Sequence, residues 1–208
     1  MGRTTRDASE ECYTGIETAF TICYDVMEVW KKAALRAKEH DTMGKIGKLR
    51  CMTSVYLCCG DKVLMLYRQG SRVVNDVWVG SAGGHFEEDE LNDPEACVLR
   101  ELKEELSVTA DMIDGLELRY ITLRNVGELR QNYYFFANLP GGMDMELTSD
   151  EGMLQWFPIE RLNELRMPFS AQFVIAHYLS TGRYNHAVYG GIANGQTVTF
   201  VELTGDHA

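Results

Sequence analysis

The sequence lacks the features that mark membrane-spanning and disulfide-bonded proteins. No stretch approaches the run of about 20 apolar residues that a membrane-spanning helix requires. The six cysteines include no CxxC pair, and the first fifteen residues are polar and charged, unlike a secretion signal. We therefore expect a cytoplasmic protein whose cysteines act as small apolar fillers.

Positive charge is also scarce. The chain has 20 Lys and Arg against 31 Asp and Glu, and its formal net charge is -11. Residues 1–50 carry nine Lys and Arg against eight Asp and Glu, so the excess negative charge belongs to the remainder of the chain. Such a surface repels phosphate backbones and anionic lipids. The composition therefore predicts no nucleic-acid partner and no membrane partner.

What the sequence does contain divides into two segments. Residues 1–50 are predicted to form an N-terminal helical extension, with a long amphipathic helix from about Ser9 to Lys38. Its apolar positions recur at alternating intervals of three and four residues, as in a heptad seam. The seam consists of Tyr13, Ile16, Phe20, Cys23, Met27, Trp30, Ala34 and Ala37. Packing on its own domain and packing on a second subunit, as a homodimer, both remain open.

Residues 51–208 alternate β-rich runs with helices, which predicts an α/β domain whose mixed sheet is covered on both faces. The Gly60-Asp61 pair between SVYLC and KVLMLYR indicates a hairpin. Further strands are expected at LRYITL, QNYYFFANL and WFP, with a final pair close to the C-terminus. A second predicted helix covers about residues 170–180. Its expected buried stripe is Phe173, Val174, His177 and Tyr178.

The first helix of this domain carries a cluster of carboxylates. Asp93 suits an N-cap and Pro94 suits the first helical position. On the helix that follows, Glu101, Glu104 and Glu105 share one narrow face. Unit charges about 4 Å apart repel by roughly 4 kcal/mol at an effective dielectric of 20. The cluster is therefore expected to bind a hard cation such as Mg²⁺, which also binds substrate phosphates.

Two glycines precede this helix and complete a recognisable pattern. Gly83 and Gly84 would let the backbone approach a metal or a phosphate closely. GGHFE followed by RELKEE resembles the signature of the Nudix hydrolases, G-x5-E-x7-R-E-U-x-E-E-x-G-U, where U is a bulky aliphatic residue. The matching residues are Gly84, Glu90, Arg100, Glu101, Leu102, Glu104, Glu105 and Val108.

Two departures from the signature are visible. Nine residues rather than seven separate Glu90 from Arg100, and Ser107 replaces the final glycine. We place the two additional residues in the loop before Asp93, because the helix and its glutamates then keep their mutual spacing. This placement leaves the correspondence of Glu90 open.

The resemblance implies a Nudix-type α/β/α sandwich that acts as a pyrophosphohydrolase. The implied reaction is hydrolysis of a nucleoside diphosphate linked to another group, X, with Mg²⁺ or Mn²⁺. The implied metal ligands are the Gly83 carbonyl, Glu101, Glu104 and Glu105. Arg100 would hold a loop glutamate in position, and Glu87 is the candidate for that partner. Glu151, with Asp150 as its rival, would supply a further ligand or a base for the attacking water.

Substrate-binding residues are less closely defined. Arg68 resembles a basic position that many members use for phosphate, and Gly84 belongs to the signature loop. Trp78, Phe169 and Tyr133 are candidates for stacking on a base, although aromatic residues in strands are more often part of the core. The C-terminal half is similar in spacing to the oxidised purine nucleoside triphosphatases, but it has Met167-Pro168-Phe169-Ser170 where those enzymes have Trp-Pro-Asp-Asp. A purine nucleoside triphosphate, oxidised or not, is the leading expectation.

Other functions remain open. The chain could hydrolyse ADP-ribose or another nucleotide-linked diphosphate. It could also be a catalytically inactive Nudix-fold binding module, with the N-terminal helix as its interaction surface. An isomerase of allylic diphosphates is disfavoured, because the NTxCxHP stretch expected of that class is absent. Metal-dependent turnover distinguishes the enzyme from the binding module.

Overall fold

A computed structural model describes residues 48–69 and 76–204. Within them, eight strands form one mixed sheet in the order β3-β2-β1-β5-β4-β7-β8, and β6 also pairs with β2. The strands are β1 Leu49–Cys59, β2 Lys62–Arg68, β3 Val77–Val79, β4 Asp114–Asn125, β5 Leu129–Asn138, β6 Gly152–Pro158, β7 Val188–Ala193 and β8 Val198–Leu203.

Two α-helices pack on opposite faces of the sheet. Helix α1, Pro94–Leu106, contributes Val98, Leu102 and Leu106 to one apolar core. Helix α2, Phe169–Ser180, contributes Val174 and Ile175 to the other. The side chains of β1 and β5 alternate between the two cores, as the period of two in a strand requires. The structure therefore has the mixed α/β sheet expected of the Nudix-type sandwich.

Local sequence signals explain the position of α1. The Asp93 carboxylate accepts a hydrogen bond from the Ala96 amide at 3.0 Å, and Pro94 occupies the first helical position. The helix ends at Ser107, which has left-handed backbone angles and donates its N–H to carbonyls of the last turn. This capping fixes where the helix starts and stops, and hence which residues face the sheet.

The strands β1 and β2 separate partway along their length. They pair only from Leu57 to Cys59 on β1, whereas β5 runs parallel to β1 along nearly its whole length. The buried Ser81 hydroxyl fills the point of divergence, accepting from the Leu57 amide at 2.8 Å and donating to the Leu64 carbonyl at 2.6 Å. The segment that contains Gly83 and Gly84 is thereby laid alongside β1.

Two sequence-based predictions need comment. The stripe predicted for α2 is partly wrong: Val174 is buried, but Ile175 and Ala171 are buried with it, whereas Phe173 is only half-buried. The reason is that α2 crosses the sheet on its 171–174–175 face. The predicted N-terminal helix of residues 9–38, and any dimer it forms, lie outside the described residues. Neither described α-helix has the length and hydropathy needed to cross a bilayer.

Candidate active site

The site begins with the glycines that lie against β1. The Thr53 amide donates to the Gly84 carbonyl at 2.8 Å, and the Val55 amide donates to the Ala82 carbonyl at 2.9 Å. Gly83 has a φ of +150°, and a Cβ at this position would overlap the Thr53 carbonyl oxygen. A Cβ on Gly84 would overlap the Glu101 carboxylate. Gly83 is required because the backbone of β1 leaves no room for a side chain there, whereas a side chain at Gly84 would displace the Glu101 carboxylate.

Glu105 and Glu151 meet beside this loop. Glu105 accepts a hydrogen bond from the Gly83 amide at 3.2 Å and is hydrogen-bonded to Glu151. Glu151 directly precedes β6, and the pairing of Gly152 with Arg68 brings Glu151 next to the end of β2. There Arg68 Nη2 donates to Glu151 Oε1 at 2.7 Å. Glu105 and Glu151, which are 46 positions apart in the chain, thus form one polar cluster with Arg68.

The Glu105 carboxyl is strongly perturbed by this setting. Burial, followed by the negative charge of Glu151, raises the pKa of Glu105 to about 8. Two adjacent carboxyls repel each other when both are ionised, which favours the protonated form of Glu105. Burial also raises the pKa of Glu101, against the opposing effect of its bond to Arg100.

Arg100 holds the remaining glutamates of the helix. Its Nη1 donates to Glu101 Oε1 at 2.9 Å and to Glu104 Oε2 at 3.0 Å. The three carboxylates expected to share one face are therefore divided. Glu101 is buried against Gly84, Glu105 faces Gly83, and Glu104 is more than half exposed and turns back towards Arg100.

The loop partner of Arg100 is Glu90. Arg100 donates from Nε to Glu90 Oε1 at 2.7 Å and from Nη2 to Glu90 Oε2 at 2.9 Å, a bidentate geometry. The hydrogen bonds from Arg100 lower the pKa of the buried Glu90 to about 2. The prediction that Glu87 is this partner is wrong, because a 3₁₀ turn at Glu88–Glu90 directs Glu90 inwards and leaves Glu87 exposed.

The carboxylates match the ligand chemistry of Mg²⁺ but are not arranged around a metal. Within residues 48–69 and 76–204, no three His, Cys, Asp or Glu side chains are positioned to hold one ion as they stand. Arg100 is hydrogen-bonded to Glu101 and Glu104, and the raised pKa of Glu105 favours its neutral form. The negative charge of the glutamates is thus offset by an arginine and by protonation rather than by a metal ion. All the donors are oxygens, which is the donor type that Mg²⁺ prefers, so the donor set fits once Glu104 turns away from Arg100.

A cavity of about 150 Å³ opens next to this cluster. This volume is roughly ten times what a single water molecule needs. Glu105, Glu151, Gly83 and Arg68 line one part of the cavity. The face of β1 and β5, with Arg130, Asn132 and Tyr134, lines another, and Pro168 and Ala171 at the start of α2 complete it. The space is suited to a ligand whose charged group meets the glutamates.

The three aromatic residues proposed for base stacking lie elsewhere. Tyr133 packs on Phe86, at 5.3 Å between ring centroids, and is not among the described residues that line the cavity. Trp78 packs between Tyr67, at 4.9 Å between ring centroids, and Phe157, at 4.6 Å. Phe169 packs on Phe173, and the guanidinium of Arg124 lies 4.3 Å from the centre of its ring. Neither Trp78 nor Phe169 is among the described residues that line the cavity.

Sequence reasoning missed the polar residues of β5 that line the cavity. Arg130, Asn132 and Tyr134 alternate with Tyr133 and Phe135, so the polar group faces α2 and the aromatic group faces α1. The alternation in RQNYYFF is the signal that could have identified them.

Comparison with known proteins identifies the domain. A family model for the NUDIX domain matches residues 49–178, more than half of the chain. A search of curated protein sequences gave no significant match.

Solved structures with the same fold include a mutator MutT protein from Bacillus halodurans. It is 21% identical, with 74% of this chain and 97% of that chain covered and a TM-score of 0.54. An Ap4A hydrolase from C. elegans is 14% identical, covering 65% and 99% of the two chains with a TM-score of 0.53. A mutT/nudix family protein from Listeria innocua is 19% identical, covering 65% and 94%, also with a TM-score of 0.53. At these identities the likeness shows the fold.

Proposed function

Because the chain belongs to the Nudix hydrolase family, whose members generally use divalent metal ions such as Mg²⁺, we propose that it hydrolyses a nucleoside diphosphate linked to another group. The observation that carries this proposal is the meeting of Glu105 and Glu151 beside Gly83, at one end of a ligand-sized cavity. A fold with no use for a cation would gain stability by separating these two carboxyls or by pairing each with a base.

The proposed roles follow from the contacts. Glu101, Glu104, Glu105 and the Gly83 carbonyl would hold Mg²⁺ or Mn²⁺. The cation would offset phosphate charge and make a bound water more acidic. Arg100 positions the ligands, because one guanidinium joins the buried Glu90 to Glu101 and Glu104.

Two further residues would act on the substrate and on the water. Glu151 lies within hydrogen-bond distance of both Glu105 and Arg68, which suits a base that must gain and lose a proton. Arg68 lines the cavity and would bind a substrate phosphate. Before doing so, it has to exchange its bond to Glu151 for one to the phosphate.

Ser107 favours an enzyme over an inactive binding module. The family signature has glycine at this position, and its loss would suggest decay if the backbone had changed. Ser107 nevertheless keeps a left-handed conformation, with φ of 56° and ψ of 24°, and caps the helix as a glycine would. The departure in sequence therefore leaves the geometry of the glutamate helix in place.

The narrower proposal is a purine nucleoside triphosphate, oxidised or not, as substrate. It is supported by the spacing of the C-terminal half, whereas the acids that read the base in the similar enzymes are missing. ADP-ribose and other nucleotide-linked diphosphates are the alternatives.

A substrate panel tests the proposal. The full chain would be assayed with Mg²⁺ on ordinary and oxidised purine triphosphates, ADP-ribose, nucleotide sugars and dinucleoside polyphosphates, the last suggested by the name of the C. elegans neighbour. Nucleotide and phosphate products would be separated by chromatography. We expect cation-dependent release from at least one compound. No turnover of any compound with Mg²⁺ or Mn²⁺ would reject the enzyme and favour the binding module.

The proposed location is a reducing compartment, the cytoplasm. Among the described residues, Cys51, Cys58, Cys59 and Cys97 are free thiols. Counting reactive thiols in protein isolated under alkylating conditions would test this part of the proposal.

A further inference from the structure

Three arginines lie side by side across the sheet, on the face that lines the cavity. Arg130 of β5 is paired in register with Arg50 of β1 on one side and with Arg124 of β4 on the other. Residues paired across adjacent strands project from the same face, about 5 Å apart. Arg130 itself lines the cavity. We refer to Arg50, Arg130 and Arg124 as the arginine row.

The arginine row carries more positive charge than its neighbours neutralise. Glu128 Oε1 lies 3.3 Å from Arg50 Nε and 2.8 Å from Arg130 Nε, so one carboxylate serves two guanidiniums. Within the described stretches, Arg124 has no carboxylate partner and its buried Nε has no hydrogen-bond partner. Its guanidinium lies over the Phe169 ring instead. Three positive charges therefore face one negative charge.

The start of helix α2 adds to this positive potential. Helix α2 begins at Phe169, directly beneath Arg124, and its N-cap Pro168 has no side-chain acceptor for the first amides. The partial positive charge at a helix N-terminus attracts anions. Pro168 lines the cavity together with Arg130.

The arginine row is distinct from the glutamate cluster. The Thr53 amide binds the loop carbonyl of Gly84, and Arg50 lies three residues before Thr53 on the same strand. Three residues of a strand span about 10 Å. A molecule that occupies the cavity from the glutamates to the arginine row therefore extends along β1, and a second group of this molecule meets the arginines.

The excess positive charge of the arginine row indicates what charge that second group carries. A neutral heterocycle would desolvate the guanidiniums without adding negative charge, and an uncompensated charge removed from water is costly. A phosphate monoester carries up to two negative charges, and its oxygens match the planar fork of a guanidinium.

We propose that the arginine row binds a phosphate monoester of the substrate. This inference rests on the proposed function, because it takes the cavity to be the substrate site. The substrate is then a nucleoside diphosphate derivative with an additional phosphate, carried either on the nucleoside ribose or on the group X.

Binding measured without divalent cations tests this directly. Calorimetry on the full chain would compare adenosine 5′-phosphate with adenosine 2′,5′-bisphosphate and adenosine 3′,5′-bisphosphate. Ribose 5-phosphate represents a phosphorylated leaving group. If the additional phosphate is on the nucleoside, one bisphosphate should bind about tenfold more tightly than the monophosphate, a difference of about 1.4 kcal/mol. If it is on X, ribose 5-phosphate should bind while the bisphosphates show no preference.

Substitutions assign the preference to the arginine row. Arg130→Gln and Arg124→Gln should each reduce the preferred probe's advantage to about threefold or less, whereas Arg130→Lys should keep part of it because the charge remains. Arg161→Gln is the matched control, since Arg161 is exposed and paired with Glu164 away from the cavity. Circular dichroism would verify that each variant is folded. Equal affinity for all probes, or a preference unchanged in both glutamine variants, would overturn the proposal.

The outcome is independent of catalysis. An arginine-dependent preference without cation-dependent hydrolysis would support the arginine row and reject the proposed enzyme. Hydrolysis of diphosphates without any such preference would do the reverse.

Discussion

Two carboxyl groups beside helix α1 are treated in opposite ways by the same fold. Glu90 receives two hydrogen bonds from Arg100, and its pKa falls to about 2. Glu105 is half-buried next to another carboxyl, Glu151, and its pKa rises to about 8. The negative charge of Glu90 is neutralised by Arg100. Glu105 has no such arginine within the described part of the chain, and protonation neutralises it instead. This difference separates Glu90, which helps to position the site, from Glu105, which is suited to bind a cation.

The two arrangements also differ in what they contribute to stability. A carboxylate with a bidentate arginine stabilises the folded state whenever it is ionised. A carboxyl whose pKa is raised, as that of Glu105 is, contributes to the stability of the folded state only while it is protonated. The comparison therefore predicts that changes at Glu90 or Arg100 act mainly on stability, whereas changes at Glu105 act mainly on turnover.

The largest effect is expected on turnover. Glu105→Gln and Glu104→Gln should each lower cation-dependent kcat by roughly 10²–10³-fold, because each removes a charge proposed to hold the cation at the reacting phosphate. The Glu105→Gln protein should be at least as stable as the wild type at neutral pH, because burying Gln does not require a carboxylate to take up a proton on folding.

The matched control is Glu95→Gln, in the exposed first turn of the same helix. Its kcat should equal that of the wild type, as measured on whichever substrate the panel identifies. Wild-type kcat in Glu105→Gln would remove this glutamate from the site.

The next effect is on stability. Arg100→Gln leaves the buried Glu90 without its cationic partner and should reduce the free energy of unfolding by about 3 kcal/mol. Urea denaturation would measure this. Arg161→Gln breaks an ion pair in which both side chains are more than half exposed, and should leave the free energy of unfolding close to that of the wild type. A double variant, Arg100→Gln with Glu90→Gln, should recover part of the loss, and equal effects of the two arginine changes would contradict the comparison.

The pH dependence should have opposite signs at the two sites. Glu90 has a lowered folded pKa, so its contribution is present above the unfolded pKa of about 4.3 and is lost as the pH falls towards 2. Glu105 has a raised pKa, so its contribution is present below the unfolded pKa and is lost as the pH rises through 8.

Stability curves of the glutamine variants would separate these contributions. From pH 5 to pH 8 without cations, the wild type should lose about 1–2 kcal/mol relative to Glu105→Gln, after allowance for solvent screening. The Glu90→Gln variant should be less stable than the wild type at neutral pH, and this difference in stability should shrink only below about pH 4. A constant difference between wild type and Glu105→Gln over the whole range would show that the pKa of Glu105 is not raised.

Much of the fold follows from local sequence. Asp93 and Pro94 determine where α1 starts, and Gly60-Asp61 joins β1 to β2, because caps and tight turns depend on a few adjacent residues. The pairing of Arg100 with Glu90 was missed because it depends on a 3₁₀ turn that spacing alone does not reveal.

Long-range register accounts for what could not be predicted. Arg50 and Arg130 are 80 residues apart in sequence, and only the parallel pairing of β1 with β5 places them together. Glu151 meets Glu105 because β6 pairs along the whole of β2. The carboxylate cluster could be predicted because its residues lie on one helix. The cavity could not, because its residues come from separate strands. The N-terminal helix stays a prediction.

The smallest expected effect concerns Ser107, which holds the end of α1 in place. Its φ of 56° is unfavourable for a residue with a Cβ. Ser107→Gly should raise the free energy of unfolding by about 0.5–1 kcal/mol, since glycine adopts this conformation without steric strain although it also loses more entropy on folding. Urea denaturation would measure the gain, and kcat should not change because the hydrogen bonds from the cap to the Leu102 and Lys103 carbonyls remain. Destabilisation by this change would mean that the serine side chain, rather than its backbone, holds the glutamate helix in register with the glycine loop.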